Sequence, residues 1–301
     1  MAVQSVRAQI NGTWYTFTYN SSIGKYQSVN AHAPGQTSYN LTGGYYPVIA
    51  EATNTAGTTT TVTTSDPTVG DSLKLVVKER IAPVITIASP TNGAYVSNNQ
   101  QPIVFTVVDE QGGSGINSAS ITVKVDNTVV SNVTKTAITN GFSCTATPST
   151  MTDGSHTITI DASDNDGNAA TQKSVTITVD TVPPTLNITS PTDGLITAEA
   201  ALTVQGMTND STSSPVTIAI TLNGTSQGSV TVNADGSFTK SITLAEGNNT
   251  IAITATDKAG KTTTINRSVV LDTTSPQILS VSISPNPADA GASITITVEV
   301  V

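Results

Sequence analysis

Thr157-Ile158-Thr159-Ile160-Asp161-Ala162-Ser163-Asp164-Asn165-Asp166-Gly167 is the stretch on which the fold turns. Alternation puts Ile158 and Ile160 on one face and the threonines on the other, which is the period of a strand with one buried face. The run then breaks into an Asx-rich turn closed by glycine. Val48-Ile49-Ala50-Glu51 leads in the same way into Ala52-Thr53-Asn54-Thr55-Ala56-Gly57, and Ile251-Ala252-Ile253-Thr254 into Ala255-Thr256-Asp257-Lys258-Ala259-Gly260. A second alternating run follows, clearest in Val175-Thr176-Ile177-Thr178-Val179 and Thr264-Ile265-Asn266. Each copy therefore reads as a β-hairpin. Recurrence along one chain reads as a tandem array.

A second motif opens each unit. Ile87-Ala88-Ser89-Pro90-Thr91-Asn92-Gly93 matches Ile188-Thr189-Ser190-Pro191-Thr192-Asp193-Gly194. Proline marks the boundaries at Ile81-Ala82-Pro83, Val182-Pro183-Pro184 and Thr274-Ser275-Pro276, because it cannot donate to a sheet ladder. Units at 81–181 and 182–273 follow, each the size of a seven-stranded antiparallel sandwich. Short linkers predict a semi-rigid row rather than loose beads.

The proline-started unit, the Ala-Thr-Asp-Lys-Ala-Gly turn and the Asp-Thr linkers at Asp180 and Asp272 resemble bacterial immunoglobulin-like (Ig-like) domains. The tandem further resembles Ig-like proteins encoded among the tail and baseplate genes of phages and prophages of Gram-positive bacteria. This resemblance implies an all-β chain of tandem Ig-like antiparallel β-sandwiches. It also implies a structural or adaptor role in a phage particle assembled in the host cytoplasm, with other phage structural proteins as partners. Ig-like repeats also build bacterial cell-surface adhesins, so the alternative is an adhesin that binds host cell-surface glycans.

The ends do not match the middle. Val6-Arg7-Ala8-Gln9-Ile10-Asn11-Gly12 aligns with Ile121 to Asn127 and with Ile218 to Gly224, so residues 1–80 begin at the third strand of a sandwich. Residues 274–301 hold what is missing there: a first strand from Ile278 to Ile283, a turn from Pro285 to Gly291, and a second strand from Ile294 to Val300. Such a hairpin is marginal alone and leaves an edge unpaired. We expect the first sandwich to be split between the two ends. The hairpin, through Ile278, Val281, Ile283, Ile294, Ile296, Val298 and Val300, would complete the N-terminal unit of the same chain or of a neighbour. Donation to a neighbour makes the chain its own partner, in a head-to-tail ring or filament.

Composition narrows the function. A net charge of −9 and few charged residues argue against a phosphate-binding surface, so no nucleic acid is expected. No run approaches the roughly 18 apolar residues of a membrane span, and the residues after Met1 do not read as a secretory signal. Neither a membrane nor the usual export route is expected. The single cysteine, Cys144, excludes an internal disulfide and reads as a small buried residue. His32 and His156 sit in no catalytic signature, and no phosphate loop, HExxH or GxSxG motif occurs, so an enzyme is not expected.

Two other groups of side chains carry chemistry. Asp164-Asn165-Asp166-Gly167-Asn168, helped by Asp161 or the linker Asp180, resembles half of a calcium loop. The later acid of a full loop is replaced by Ala169-Ala170, so the sequence favours a plain turn with no metal. Asp109-Glu110-Gln111-Gly112-Gly113-Ser114-Gly115 reads as a polar loop. Eight of the twelve aromatics lie within residues 1–46. Alternation sends Tyr15, Phe17 and Tyr19 to one face and Trp14 to the other, and Trp14, Tyr26, Tyr39 and Tyr45 are candidate ligand-facing aromatics. Core or assembly packing is the expectation for this cluster.

Overall fold

The computed structural model describes residues 2–301 and is almost wholly β. It divides into two compact units. One runs through Ala94 and takes in Asn99–Thr178, and the other holds Tyr95–Asn98 and Val179–Val301. Among the described residues no helix is long and apolar enough to cross a membrane.

Within the first unit, Val133–Ile138, Gly141–Ala146, Ile103–Val108 and Val84–Ser89 lie side by side in that order in one sheet. A second sheet carries Thr128–Val129, Thr122–Val125, Gly154–Asp161 and Lys173–Val179. Period-2 alternation aims Ile103, Phe105, Val107, Val123, Ile158 and Ile160 inward, and all are essentially inaccessible to solvent. The second unit repeats the plan. Thr185–Ser190, Ala201–Asn209 and Ser237–Thr243 form one sheet. Leu195–Thr197, Thr262–Leu271, Gly247–Thr256, Thr217–Leu222 and Thr225–Ser226 form the other. Its core gathers Val204, Ile220, Phe238, Ile251, Ile253 and Val269.

The repeated hairpins take one geometry. Asn11-Gly12, Asp126-Asn127 and Asn223-Gly224 each supply two successive residues with positive φ. This is the two-residue turn whose twist matches that of its strands. In the three Asx turns, the residue 54, 164 or 257 pairs through its backbone with the residue four positions on, namely Thr58, Asn168 or Lys261.

Residues 2–80 differ from this plan more than the alignment suggests. Their strands run Lys25–Gln27, Thr13–Asn20, Val3–Ile10, Tyr46–Asn54 and Thr59–Val62, with Lys74–Leu75 added on Tyr46–Asn54. This corresponds to one sheet of a sandwich, and residues 28–45 supply no strand for a facing sheet. More than the first two strands is therefore missing. Val6, Ala8, Tyr15, Phe17 and Ala50 share a face through their register, yet Ala8 and Tyr46 are the fully buried apolar residues of this stretch. The Tyr and Phe side chains do not fill a closed core here.

The C-terminal hairpin folds as expected but joins no other sheet. Ile278–Ser284 pairs with Thr295–Val300, opposing Ile278 to Val300, Val281 to Val298 and Ile283 to Ile296. Every residue from Asp272 onward is exposed.

His156 illustrates how the loops are held. Its Nδ1 lies 2.6 Å from Asp126 Oδ2 and its Nε2 lies 2.8 Å from the Thr152 carbonyl, so the imidazolium donates from both nitrogens. Burial disfavours that charge, but the Thr152 carbonyl and the Asp126 carboxylate outweigh it, and the histidine titrates above its ordinary value. A raised native pKa contributes stability that is complete below the unfolded histidine range near 6.5 and is lost as pH rises through the native value. His156→Gln should therefore cost about 1 kcal/mol near pH 5.5, discounted for the half-exposed Asp126. Urea melts should show this difference shrinking between pH 6 and pH 8.5.

Candidate functional site

The chemistry gathers where each linker enters a sandwich. Glu79 precedes Pro83 by four residues, and Asp180 precedes Pro184 by four. Asp109 follows the strand Ile103–Val108, and Asp210 follows Ala201–Asn209. Asp164 and Asp257 open the equivalent Asx turns. Folding brings these residues together as two triads, Glu79–Asp109–Asp164 and Asp180–Asp210–Asp257. In each triad, one oxygen from every member lies within 4.8 Å of the others.

Loop backbone holds the carboxylates in place. In the first triad Glu79 Oε1 accepts the Ser114 N–H, Asp109 Oδ2 accepts the Gly115 N–H at 2.8 Å, and Asp164 Oδ1 accepts the Asn168 N–H at 2.8 Å. The Asn168 amide donates to Asp164 Oδ2 at 2.6 Å. In the second, Asp180 accepts the Val182 N–H and the Ser213 hydroxyl. Asp210 Oδ1 accepts the Thr212 and Ser213 N–H groups, and Asp257 Oδ1 accepts that of Lys261.

Burial is severe for charged groups. Glu79 is 6% exposed, Asp109 4%, Asp164 1%, Asp180 0%, Asp210 9% and Asp257 6%. Glu79 Oε2, Asp109 Oδ1, Asp257 Oδ2 and the neighbouring Glu110 Oε2 are buried without a hydrogen-bond partner. Among the described residues no Lys or Arg forms an ion pair with any of the six triad acids. Burial, and then the neighbouring Glu79 and Asp109 carboxyls, push the Glu110 carboxyl up to about 7. The loop wraps tightly: a Cβ on Gly113 would stand 2.7 Å from both Asp109 Oδ2 and Glu79 Oε2.

Of the metal candidates read from sequence, Asp164 joins the first triad while Asp161 and Asp166 do not. Asp161 accepts from the Gln172 amide at 2.8 Å. Asp166 is also buried, but hydrogen bonds from the Tyr39 hydroxyl and the Glu79 N–H, with Lys78 at 3.6 Å, hold its carboxyl below the usual range. Asp180 belongs to the second sandwich rather than to the Asp164 turn. Sequence reading missed Glu79, Asp109, Asp210 and Asp257. Their signal was the recurrence of an acid at the same three register positions in both units.

The candidate aromatics are engaged one by one. Trp14 lies beneath the Arg7 guanidinium, 4.2 Å from its ring centre, and Arg7 also pairs with Glu51. Tyr26 packs on Tyr19 at 5.3 Å, and the Lys74 ammonium sits 5.5 Å over Tyr45. Tyr39 is spent on Asp166; burial first, then that bond, raises its hydroxyl above the ordinary tyrosine range. The hairpin residues Ile278, Val281, Ile283, Ile294, Ile296, Val298 and Val300 are all exposed.

Residues 83–160 match the family described as a bacterial Ig domain, and residues 184–273 match domain B of glucodextranase. The chain is a tandem of Ig-like β-sandwiches. Bacillopeptidase F of Bacillus subtilis (strain 168) is 33% identical over 111 residues, which cover 37% of this chain and 7% of that protein. The chain thus spans a small fraction of the curated relative it matches. Among solved structures, the fibronectin(III)-like modules of Clostridium thermocellum CbhA align at 18% identity and a TM-score of 0.42, over 62% of this chain and 94% of theirs. Immunoglobulin domains 1–4 of Sidekick-1 align at 11% and 0.35, over 90% and 68%.

Cys144 has no solvent exposure, and burial pushes its thiol up. Its alkylation at pH 8 should be more than about a thousandfold slower in the native protein than in guanidinium, since access requires unfolding. Mass spectrometry of the alkylated protein would check this.

Proposed function

We propose that the chain is a non-enzymatic structural or adaptor protein that links copies of itself by donating its 278–300 hairpin to the opening sheet of a neighbour. One observation carries this reading: the apolar residues of the hairpin are all exposed, while the opening sheet forms a single layer whose apolar face is only half-buried. The hairpin corresponds to the first pair of each sandwich, since Ile278 opposes Val300 as Val84 opposes Val108. The opening sheet corresponds to the opposite layer, with Val3–Ile10 paired to Tyr46–Asn54 as Thr122–Val125 is to Gly154–Asp161. A hairpin of this size is marginal in water, so covering it is the largest gain open to either end. A setting in a phage tail or contractile particle follows from the resemblance of the tandem, and such a particle provides the repeated neighbours that donation needs.

A second reading draws on the matched proteins. One family model is a domain of glucodextranase and the curated relative is a peptidase, both larger proteins named for activities. In this reading the chain is an accessory Ig-like stretch, and the hairpin seeks no second copy.

Light scattering separates the two. The full chain should form concentration-dependent oligomers below about 100 µM, a modest affinity for one sheet-on-sheet contact. Deleting residues 277–301, or introducing Ile296→Asp, should leave monomers. A full chain that stays monomeric, or a truncated one that assembles like its parent, rejects strand donation and favours the accessory reading.

A further inference from the structure

We propose that the two linker triads are calcium sites, formed by Glu79, Asp109 and Asp164 in one sandwich and by Asp180, Asp210 and Asp257 in the next. The inference stands apart from self-association, because neither triad uses the hairpin. Three carboxylates converge in each, at an oxygen spacing of at most 4.8 Å, which fits inside the roughly 5 Å diameter of a calcium coordination sphere.

The independent observation is the set of buried oxygens without partners. Glu79 Oε2 and Asp109 Oδ1 in the first triad, and Asp257 Oδ2 in the second, accept no hydrogen bond although their residues are more than nine-tenths buried. An ionised oxygen that deep is costly unless a cation or a donor meets it. Every member is meanwhile fixed through its other oxygen, or through loop N–H groups, so the set is already organised. Glu110 Oε2 adds a third unpartnered carboxylate oxygen beside the first triad, and the Ser213 hydroxyl stands on Asp180 in the second.

Asp272 lies four residues before Pro276, as Glu79 and Asp180 lie before their prolines, but it is exposed and its Oδ1 is taken up by Thr274.

Chemistry selects the ion. The ligands are all oxygen, which excludes a thiolate- or imidazole-loving ion such as zinc. Magnesium keeps several waters and takes one or two carboxylates, whereas three buried carboxylates in flexible loops suit calcium. Bound there, the ion ties the linker residue to two loops of the sandwich that follows it.

Calorimetric titration and thermal melting of the full chain test the proposal. We expect two calcium ions per chain and a melting point raised by several degrees over the chelator-treated protein. Glu79→Gln should remove one ion and Asp257→Asn the other, while Asp272→Asn should keep both. Asp109→Asn and Asp210→Asn repeat the test at a second ligand of each site, and circular dichroism checks that every variant is folded. The proposal is overturned if no calcium binds up to about 10 mM, above the range of the weakest extracellular modules. It is equally overturned if folded triad variants still bind two ions, if Asp272→Asn loses one, or if magnesium binds as tightly.

Discussion

A β-sheet with one apolar face must have that face covered, and nearly everything in this chain follows from where the cover comes from. In the two complete sandwiches each sheet covers the other. Phe105, Val123, Ile158 and Ile160 in one, and Val204, Ile220, Ile251 and Ile253 in the next, lose essentially all contact with water. At roughly 25 cal/mol per Å² of apolar surface, such residues each contribute about 1.5–3 kcal/mol, far more than any surface ion pair here. The 278–300 hairpin stands apart from this rule, for its apolar residues are all exposed.

Once the sandwiches close, polar groups are forced inward at their poles, and there the balance differs. Backbone N–H groups of tight loops satisfy one oxygen of a carboxylate and orient the rest of it. Asp109, Asp164, Asp210 and Asp257 are all held this way. The linker acids Glu79 and Asp180 then complete each group from outside the loops. The close approach of Gly113 to Glu79 and Asp109 shows how little room remains for a side chain there. Such an arrangement concentrates negative charge in a chain that is acidic overall, and charge of that density calls for a counterion or a proton.

The aromatic cluster of residues 1–46 shows the opposite economy. Trp14, Tyr26, Tyr39 and Tyr45 each meet a separate partner: a guanidinium, another ring, a carboxylate and an ammonium. Arg7 and Trp14 stack on the face opposite Val6, Ala8, Tyr15 and Phe17, so this pair does not cover the sheet's apolar face.

Local periodicity and turn chemistry were legible in the sequence alone: the hairpins, the Asx-rich turns closed by glycine, the unit starts at Ser-Pro, and the placement of Trp14 opposite Tyr15 and Phe17. These depend on residues a few positions apart, whose geometry the backbone dictates directly. Tertiary structure alone decided that residues 2–80 form one layer rather than a sandwich short of two strands, because a missing sheet is a fact about distant partners. It alone also brought Glu79 to Asp164, 85 positions on, and Asp180 to Asp257, 77 positions on. Taken singly these acids read as ordinary turn and linker residues; only the folding of three separate loops onto one point turns them into a site.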